Sequence, residues 1–324
     1  MPFLLVEILN FQGSAHLRGV GSLSNLFVEQ GKELNLNYLS MITPSRWFAG
    51  GMGLDEFRNN MMNDGKVVKL VDYTNAKDCF PQISISGGVC YFLWCNNYDA
   101  ECEVTNVKAG HSNTLKRPLN EFPVFVRYNE AVSILHKVMQ ADDFVSIDSI
   151  ISPLMPYGLS TNYRGIDKET EENSLKLYAS DGVTYIKPTE ITKGFETVDK
   201  YKVMISKMSA EHAGEPNKEG KFNVITKSMQ VIGPKEVCTH SYFLIGNYDS
   251  YEEADNTYTF LKTQFARFLI LMSLSAVNLS KLVFSFVPLL DFKQKWTDAE
   301  LYKKYGLDEK EIEFINSIVR PLEW

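Results

Sequence analysis

The alternation of apolar and polar positions changes character along the chain, and that change outlines its organisation. Residues 23–34, LSNLFVEQGKEL, place Leu23, Leu26, Phe27, Gln30 and Leu34 near one face at helical spacing, with a glycine at 31 as the exception. A helix is predicted there. The run 38–43 (YLSMIT) is short, apolar and stopped by Pro44, as a buried strand would be. After a loop rich in glycine and aromatics (SRWFAGGMG), residues 54–62 carry acids in their first turn and end at Asn63-Asp64-Gly65, which predicts a short helix. Two strands follow, KVVKLVDY at 66–73 and GVCYFLWC at 88–95. The second is apolar at nearly every position and is expected centrally in a sheet. Helix, turn and strand in this succession is an α/β signature.

Past about Val107 the segments lengthen, grow more polar and carry isolated aromatics, so a boundary is predicted there between domains 1–107 and 108–324. A helix is predicted at 130–140 and a loop at 148–163, containing SPLMPYGLSTN. Strand-like pieces at 175–178, 184–186, 201–206, 229–232 and 242–245 are separated by Gly, Asp and Asn turns, an irregular β-rich module. The helical period returns at 251–273 and again in LYKKYGLDEKEIEFINSIV, where Gly306 and Asp308 separate a pair of closing helices. The sequence has no internal repeat.

Composition narrows the class. A chain of 324 residues with 44% hydrophobic and 23% charged positions is ordinary for a soluble globular protein. The apolar stretch 268–280 is too short for a bilayer and is bounded by Arg267 and Lys281. The N-terminus, MPFLLVEILNF, lacks the basic region and cleavage site of a signal peptide, so a cytoplasmic location is expected. Of five cysteines, four (Cys79, Cys90, Cys95, Cys102) crowd one stretch with no CxxC pair and no histidine at finger spacing. They read as reduced, core-packing thiols rather than a zinc site. The net charge of −7 argues against a generally basic nucleic-acid binder, yet residues 176–235 hold ten lysines against seven acids. Those lysines and the aromatics between them fit either a solvated face or a nucleic-acid surface.

Catalytic signatures are sparse. Gly50, Gly51 and Gly53 lie between a strand and a helix, the context of a phosphate cradle, but without a third glycine in register or a Lys-Ser/Thr pair they read as a connecting loop. His16, His111, His136, His212 and His240 form no HExxH. Glu219-Gly220-Lys221 loosely matches a nuclease element, inside a polar run that reads as a solvated loop. No catalytic residue and no metal ligand is assigned.

The stretch 38–94, YLSMITPSRWFAGGMGLDEFRNNMMNDGKVVKLVDYTNAKDCFPQISISGGVCYFLW, resembles the sequence after the catalytic motif in adenine-specific DNA methyltransferases of bacterial restriction-modification systems. The likeness is greatest to the gamma-type enzymes, some of which are fused to endonucleases. LKTQFARFLI, FSFVPLLDFKQKWTDAELYKKYGL and EKEIEFINSIVRPL resemble the C-terminus of that group, so the resemblance covers about residues 23–324. It implies that residues 1–107 are the C-terminal portion of a Rossmann-like methyltransferase sheet ending in an antiparallel hairpin. Residues 108–324 would then be an α+β target-recognition domain with C-terminal helices. Double-stranded DNA is the implied partner and S-adenosylmethionine the family's cofactor. The target adenine must leave the duplex to reach the methyl donor. In this family an aromatic residue before the last hairpin strand, in a VFPQ-like element, stacks on the extruded base; the matching residue is Phe80. By composition alone Phe80 is equally a core phenylalanine at a turn. The resemblance further implies that Ser45, Arg46, Trp47 and Phe48, at the end of a strand, face the cleft and the DNA, with Arg46 on phosphate. Lys187, Lys193, Lys200, Lys202 and Lys207 are candidate phosphate contacts.

Departures from the family carry equal information. The glycine-rich donor turn, the acid for the donor's ribose and the Asn/Asp-Pro-Pro-Tyr/Phe tetrapeptide do not occur; Met155-Pro156-Tyr157 lies downstream and lacks two of its residues. Residues 1–21 do not read like the segment expected before the first helix. The expectation is a truncated or split chain, the DNA-recognition half of a site-specific adenine-N6 methyltransferase. It would bind no S-adenosylmethionine alone, be inactive alone, and be completed by a chain carrying the N-terminal half. The alternative is a non-enzymatic specificity subunit, and a third reading is the unstable product of a degraded gene.

Overall fold

The strands of strongest β signal gather into a single sheet. The computed structural model describes residues 3–7, 23–49, 53–82, 85, 87–108, 110–207, 217, 219–224, 228–274 and 280–322. The chain divides into two compact units, Met1–Val132 and Ser133–Trp324. The first contains β1 (Phe3–Glu7), α1 (Leu23–Glu33), β2 (Tyr38–Pro44), α2 (Asp55–Met62), β3 (Val67–Tyr73), β4 (Val89–Cys95), β5 (Cys102–Lys108) and β6 (His111–Arg117). They form one sheet in the order β1-β2-β4-β3-β5-β6. β1 runs parallel to β2, β4 runs antiparallel to both β2 and β3, β3 runs parallel to β5, and β5 and β6 form an antiparallel ribbon. β4 lies between β2 and β3, as its apolar run predicts.

Alternation divides the sheet into two unlike faces. On the first, Leu39, Met41, Leu70, Phe92, Trp94 and Val104 are buried in one core with Val28 of α1 and Phe57 and Met61 of α2. Gly31 explains how α1 sits there: a Cβ on it would stand 3.0 Å from Cδ2 of Leu39. The close approach turns Ser24, Asn25, Val28 and Gly31 inward, leaving Leu26, Phe27 and Leu34 exposed. The apolar face predicted from helical spacing is thus the outward one.

The sheet continues beyond Val107, where the pattern change predicts a domain boundary. β6 is polar and mostly exposed, which hides it from a hydrophobic-pattern reading, and Leu119 and Phe125 still belong to the first core. The division between the units falls at residues 132 and 133, inside α3 (Asn129–Met139).

The second unit is built on two three-stranded sheets. β9 (Tyr201–Ser206) is flanked antiparallel by β10 (Gln230–Ile232) and β12 (Tyr242–Tyr248). β7 (Leu175–Ala179) pairs antiparallel with β8 (Gly182–Ile186) and parallel with β11 (Glu236–Cys238), a strand too short to be read from the sequence. Tyr157, Leu177, Ile186, Met204, Val237 and Leu244 share their core. Four helices follow: α4 (Tyr251–Lys262), α5 (Gln264–Ser273), α6 (Asp298–Lys304) and α7 (Glu309–Ile318). Ser250, Thr263, Thr297 and Asp308 cap them, the last two as capping boxes with Glu300 and Glu311. α5 is buried from Phe265 to Ser273, and Arg267 within it donates to the carbonyls of Lys262, Thr263 and Arg320. Among the described residues no helix is long and apolar enough to cross a membrane.

The tight α1 contact yields a test. Gly31→Val should cost about 1–3 kcal/mol through overpacking. The loss should shrink in a Leu39→Ala background, read by urea unfolding in a double-mutant cycle.

Candidate functional site

β2 and β3 end, and β4 begins, at the same edge of the first unit, where α/β sheets place their ligands. Both connections that carry predicted site residues start there. Residues Ser45–Ala49 form a 3-10 turn directly after β2. Phe80 lies in the connection from β3 to β4, behind the turn Ala76–Asp78 that Asn75 caps through the amide of Lys77. Phe80 is half-buried, its amide donates to the carbonyl of Ala76 at 2.8 Å, and Pro81 and Gln82 beside it are exposed.

One carboxylate organises this edge. Asp72, the penultimate residue of β3, is 0% exposed. The Ser45 hydroxyl donates to its Oδ1 at 2.9 Å. The Arg127 guanidinium donates to both oxygens, Nε to Oδ2 at 2.5 Å and Nη2 to Oδ1 at 2.7 Å. Burial works against the Arg127 charge, but Asp72 beside it outweighs that and raises its pKa. The Ser45 amide donates to the carbonyl of Gly88 at 3.0 Å, fastening the turn after β2 to the start of β4. Gly88 has φ +82°, and a Cβ there would lie 2.1 Å from the carbonyl oxygen of Tyr73 and 2.8 Å from Nη2 of Arg127. Only glycine fits. Behind the ion pair, Asn106 donates to the carbonyl of Arg127 and accepts from the amide of Asn129. Asn129 in turn accepts from Nε of Arg117, a buried arginine paired with Glu121. Asp72, Gly88 and Arg127 were not among the residues read from the sequence; the Gly87-Gly88 pair before an apolar strand was the one available signal.

Of the four residues expected to face the cleft, Arg46 is exposed, while Ser45, Trp47 and Phe48 are 2%, 1% and 5% exposed. The correction has a packing reason. Trp47 and Phe48 meet edge-on at 4.6 Å and both contact Phe125, Trp47 reaching Phe57 as well. The five lysines also differ from expectation. Lys202 is fully buried, and its ammonium donates to the carbonyls of Thr197, Lys200 and Gly233 at 3.0 Å each. Burial pushes its pKa down to about 8. Lys187 pairs with Glu172, Lys200 pairs with Asp249, and Lys193 donates to the carbonyl of Leu154. Lys207 lies over the Phe243 ring at 4.7 Å, with its nitrogen buried. Four of these ammonium groups are therefore already bonded within the protein, and the fifth is turned inward.

Trp47 and Phe48 are packed at the end of β2, and the Asp72 carboxylate at the end of β3 is engaged by Arg127 and Ser45. Gly50, Gly51 and Met52 of the candidate phosphate loop lie outside the described residues. In the Glu219-Gly220-Lys221 run, the Asn217 side chain accepts from the amides of Glu219 and Lys221, a self-satisfied turn. Cys90, Cys102 and Cys238 are buried free thiols, and Cys79 and Cys95 are half-buried. Among the described residues no group of three or more His, Cys, Asp or Glu could hold a metal ion.

Two substitutions test these assignments. Arg127→Met strands a buried carboxylate and should cost about 3–5 kcal/mol, against about 1–2 for Ser45→Ala, by urea unfolding. Lys202→Met should lower stability by about 1–3 kcal/mol through its orphaned carbonyls, by the same unfolding measurement.

Comparison with known proteins bears on this geometry. Residues 7–80 match the family model of the Eco57I restriction-modification methylase. An uncharacterized adenine-specific methylase of Mycoplasma pneumoniae is 31% identical over 127 residues, 38% of this chain and 30% of that protein. Among solved structures, the type IIG restriction endonuclease BpuSI aligns with TM-score 0.36 and 10% identity over 93% of this chain and 50% of its own. The type IIL restriction-modification enzyme MmeI in complex with DNA aligns with TM-score 0.38 and 8% identity over 93% of this chain and 49% of its own. The chain thus spans under a third of the curated relative and about half of each solved structure. Over residues 7–80 it is similar to the Eco57I restriction-modification methylases, in line with the resemblance carried by residues 38–94.

Proposed function

We propose that the chain is the DNA-recognition half of a site-specific adenine-N6 DNA methyltransferase of a restriction-modification system. The observation that carries this reading is the sheet edge from which two loops leave, one held on Asp72 by Ser45 and bearing Arg46, the other bearing Phe80, inside the stretch similar to the methylase family. Strand β4, inserted antiparallel between β2 and β3, supports the hairpin that the resemblance implies. In this reading Arg46 holds a phosphate, and Phe80, anchored by a backbone bond yet half-exposed, stacks on the unstacked adenine. The first unit, up to residue 132, is the end of the catalytic domain, and the second, from residue 133, reads the target. S-adenosylmethionine is bound by a partner polypeptide that supplies the donor turn and the Asn-Pro-Pro-Tyr element, so this chain alone transfers no methyl group.

The burial of Lys202 removes it from the expected phosphate contacts and leaves Arg46, Lys187, Lys193 and Lys200 to supply them. The decisive measurement is salt-dependent binding of the purified chain to a mixed duplex-DNA pool. A straight log-log decline is expected. Arg46→Gln should flatten its slope by about 0.9, as one lost phosphate contact requires. Phe80→Ala should leave the slope alone and weaken binding to DNA with an unpaired adenine by about 1–3 kcal/mol. A folded chain with no DNA affinity, or one that methylates DNA unaided, overturns the proposal.

A further inference from the structure

The loops that carry Arg46 and Phe80 leave the sheet from β2 and β3, on either side of β4, and one buried ion pair holds the root of each. On the β2 side, the Ser45 hydroxyl donates to Oδ1 of Asp72, which fixes the residue before Arg46. The Arg127 guanidinium carbon lies 5.7 Å from the centre of the Phe48 ring, so the same turn also packs on the other member of the pair. On the β3 side, Nη2 of Arg127 donates to the carbonyl of Tyr73, the last residue of the strand, at 3.4 Å. From there the chain turns at once. The Asn75 side chain accepts from the amide of Lys77, and the carbonyl of Ala76 accepts from the amides of Cys79 and Phe80 at 3.1 and 2.8 Å. The path from the held carbonyl to Phe80 is therefore short and closed by hydrogen bonds.

The pair is itself held from behind. A Cβ at Gly88 would stand 2.8 Å from Nη2 of Arg127, so the start of β4 closes over the guanidinium. The carbonyl of Arg127 accepts from the Asn106 side chain, and the Asn129 side chain donates to the carbonyls of Val104 and Asn113. Arg127 thus enters from a backbone clamped to β5 and β6. The sheet does not need this brace to stay together, because β4 already pairs along its length with both β2 and β3. A buried ion pair also contributes little net stability over an apolar replacement. What the planar fork of Arg127 adds is a fixed spacing between the roots of two loops.

We propose that Asp72 and Arg127 are positioning residues, setting the spacing of Arg46 and Phe80 so that one phosphate and one unstacked adenine are engaged together. This rests on the function proposed above and assigns to that site two residues that touch neither ligand group. A base lifted from the duplex stays tied to its own backbone. A phosphate contact and a stacking ring therefore act together only when their separation matches that of a phosphate and a base on one strand. Loops left loose would have to be ordered on binding, at the expense of affinity.

The test measures two quantities for the full chain: the salt slope, and the ratio of affinities for duplex DNA with and without an unpaired adenine. Each variant is first shown to be folded by circular dichroism. Lost stability lowers both affinities alike and leaves their ratio unchanged, whereas lost positioning changes the ratio. Arg127→Lys keeps a cation beside Asp72 but not the two-pronged contact or its reach to the Tyr73 carbonyl. It should lower the ratio about fivefold, and in a Phe80→Ala background it should lower it no further. Ser45→Ala leaves the ion pair in place and frees the β2 side, so it should flatten the salt slope toward that of Arg46→Gln. A wild-type ratio of one, an unchanged ratio with Arg127→Lys, additive effects of Arg127→Lys and Phe80→Ala, or an unchanged slope with Ser45→Ala overturns the proposal. If Arg127→Lys does not fold, Ser45→Ala decides alone. DNA binding by the wild-type chain without these effects keeps the recognition function and rejects the positioning roles, whereas a folded wild-type chain with no DNA affinity rejects both.

Discussion

A carboxylate with no exposed surface has to be neutralised where it stands, and at Asp72 that constraint shapes one whole edge of the first unit. The guanidinium that answers it comes from a residue 55 positions later, so the segment after β6 must return across the ends of the strands. Once Arg127 is seated, Gly88 is confined to a residue without a Cβ, and the Ser45 turn is drawn down onto the start of β4. The aromatic packing of Trp47 and Phe48 follows, because a turn held that close has nowhere to put two large rings except inward. Arg46, between Ser45 and Trp47, is left facing out. Position and exposure at this edge are set by charge compensation first and by hydrophobic packing second.

Much of the fold was legible because its signals were local. The apolar run at 88–95 announced a central strand, and the Gly306 and Asp308 pair announced the break between α6 and α7. What was not legible depended on a partner remote in sequence. α1 was found but its face was reversed, since the cause is the missing side chain of Gly31 against Leu39. β6 escaped because a strand facing water on an edge carries little apolar pattern. KVVKLVDY reads as an ordinary strand, and nothing in it says that its aspartate is the pivot of the site.

The lysines make the same point about function. A count of charges along residues 176–235 treats each as a free cation available to phosphate. In the fold, Lys202 serves as an internal donor to three carbonyls contributed by residues 197, 200 and 233, and Lys187 and Lys200 are neutralised by acids from other segments. An ammonium buried against three carbonyls, as in Lys202, cannot also release counterions from DNA. The electrostatic footprint of a domain is what remains after its internal pairings, and those are a tertiary property.

The buried thiols give the two units separate chemical clocks. Burial pushes Cys90 up to about 11 and Cys102 and Cys238 up to about 12, so in the folded chain they are protonated at neutral pH and shielded from reagent. Each becomes a nucleophile only when its surroundings open and it regains the ordinary acidity of a cysteine. Cys90 and Cys102 sit in Met1–Val132 and Cys238 in Ser133–Trp324, so their alkylation rates under native conditions read the opening free energy of each unit independently. Unequal rates would reveal which half of the molecule yields first.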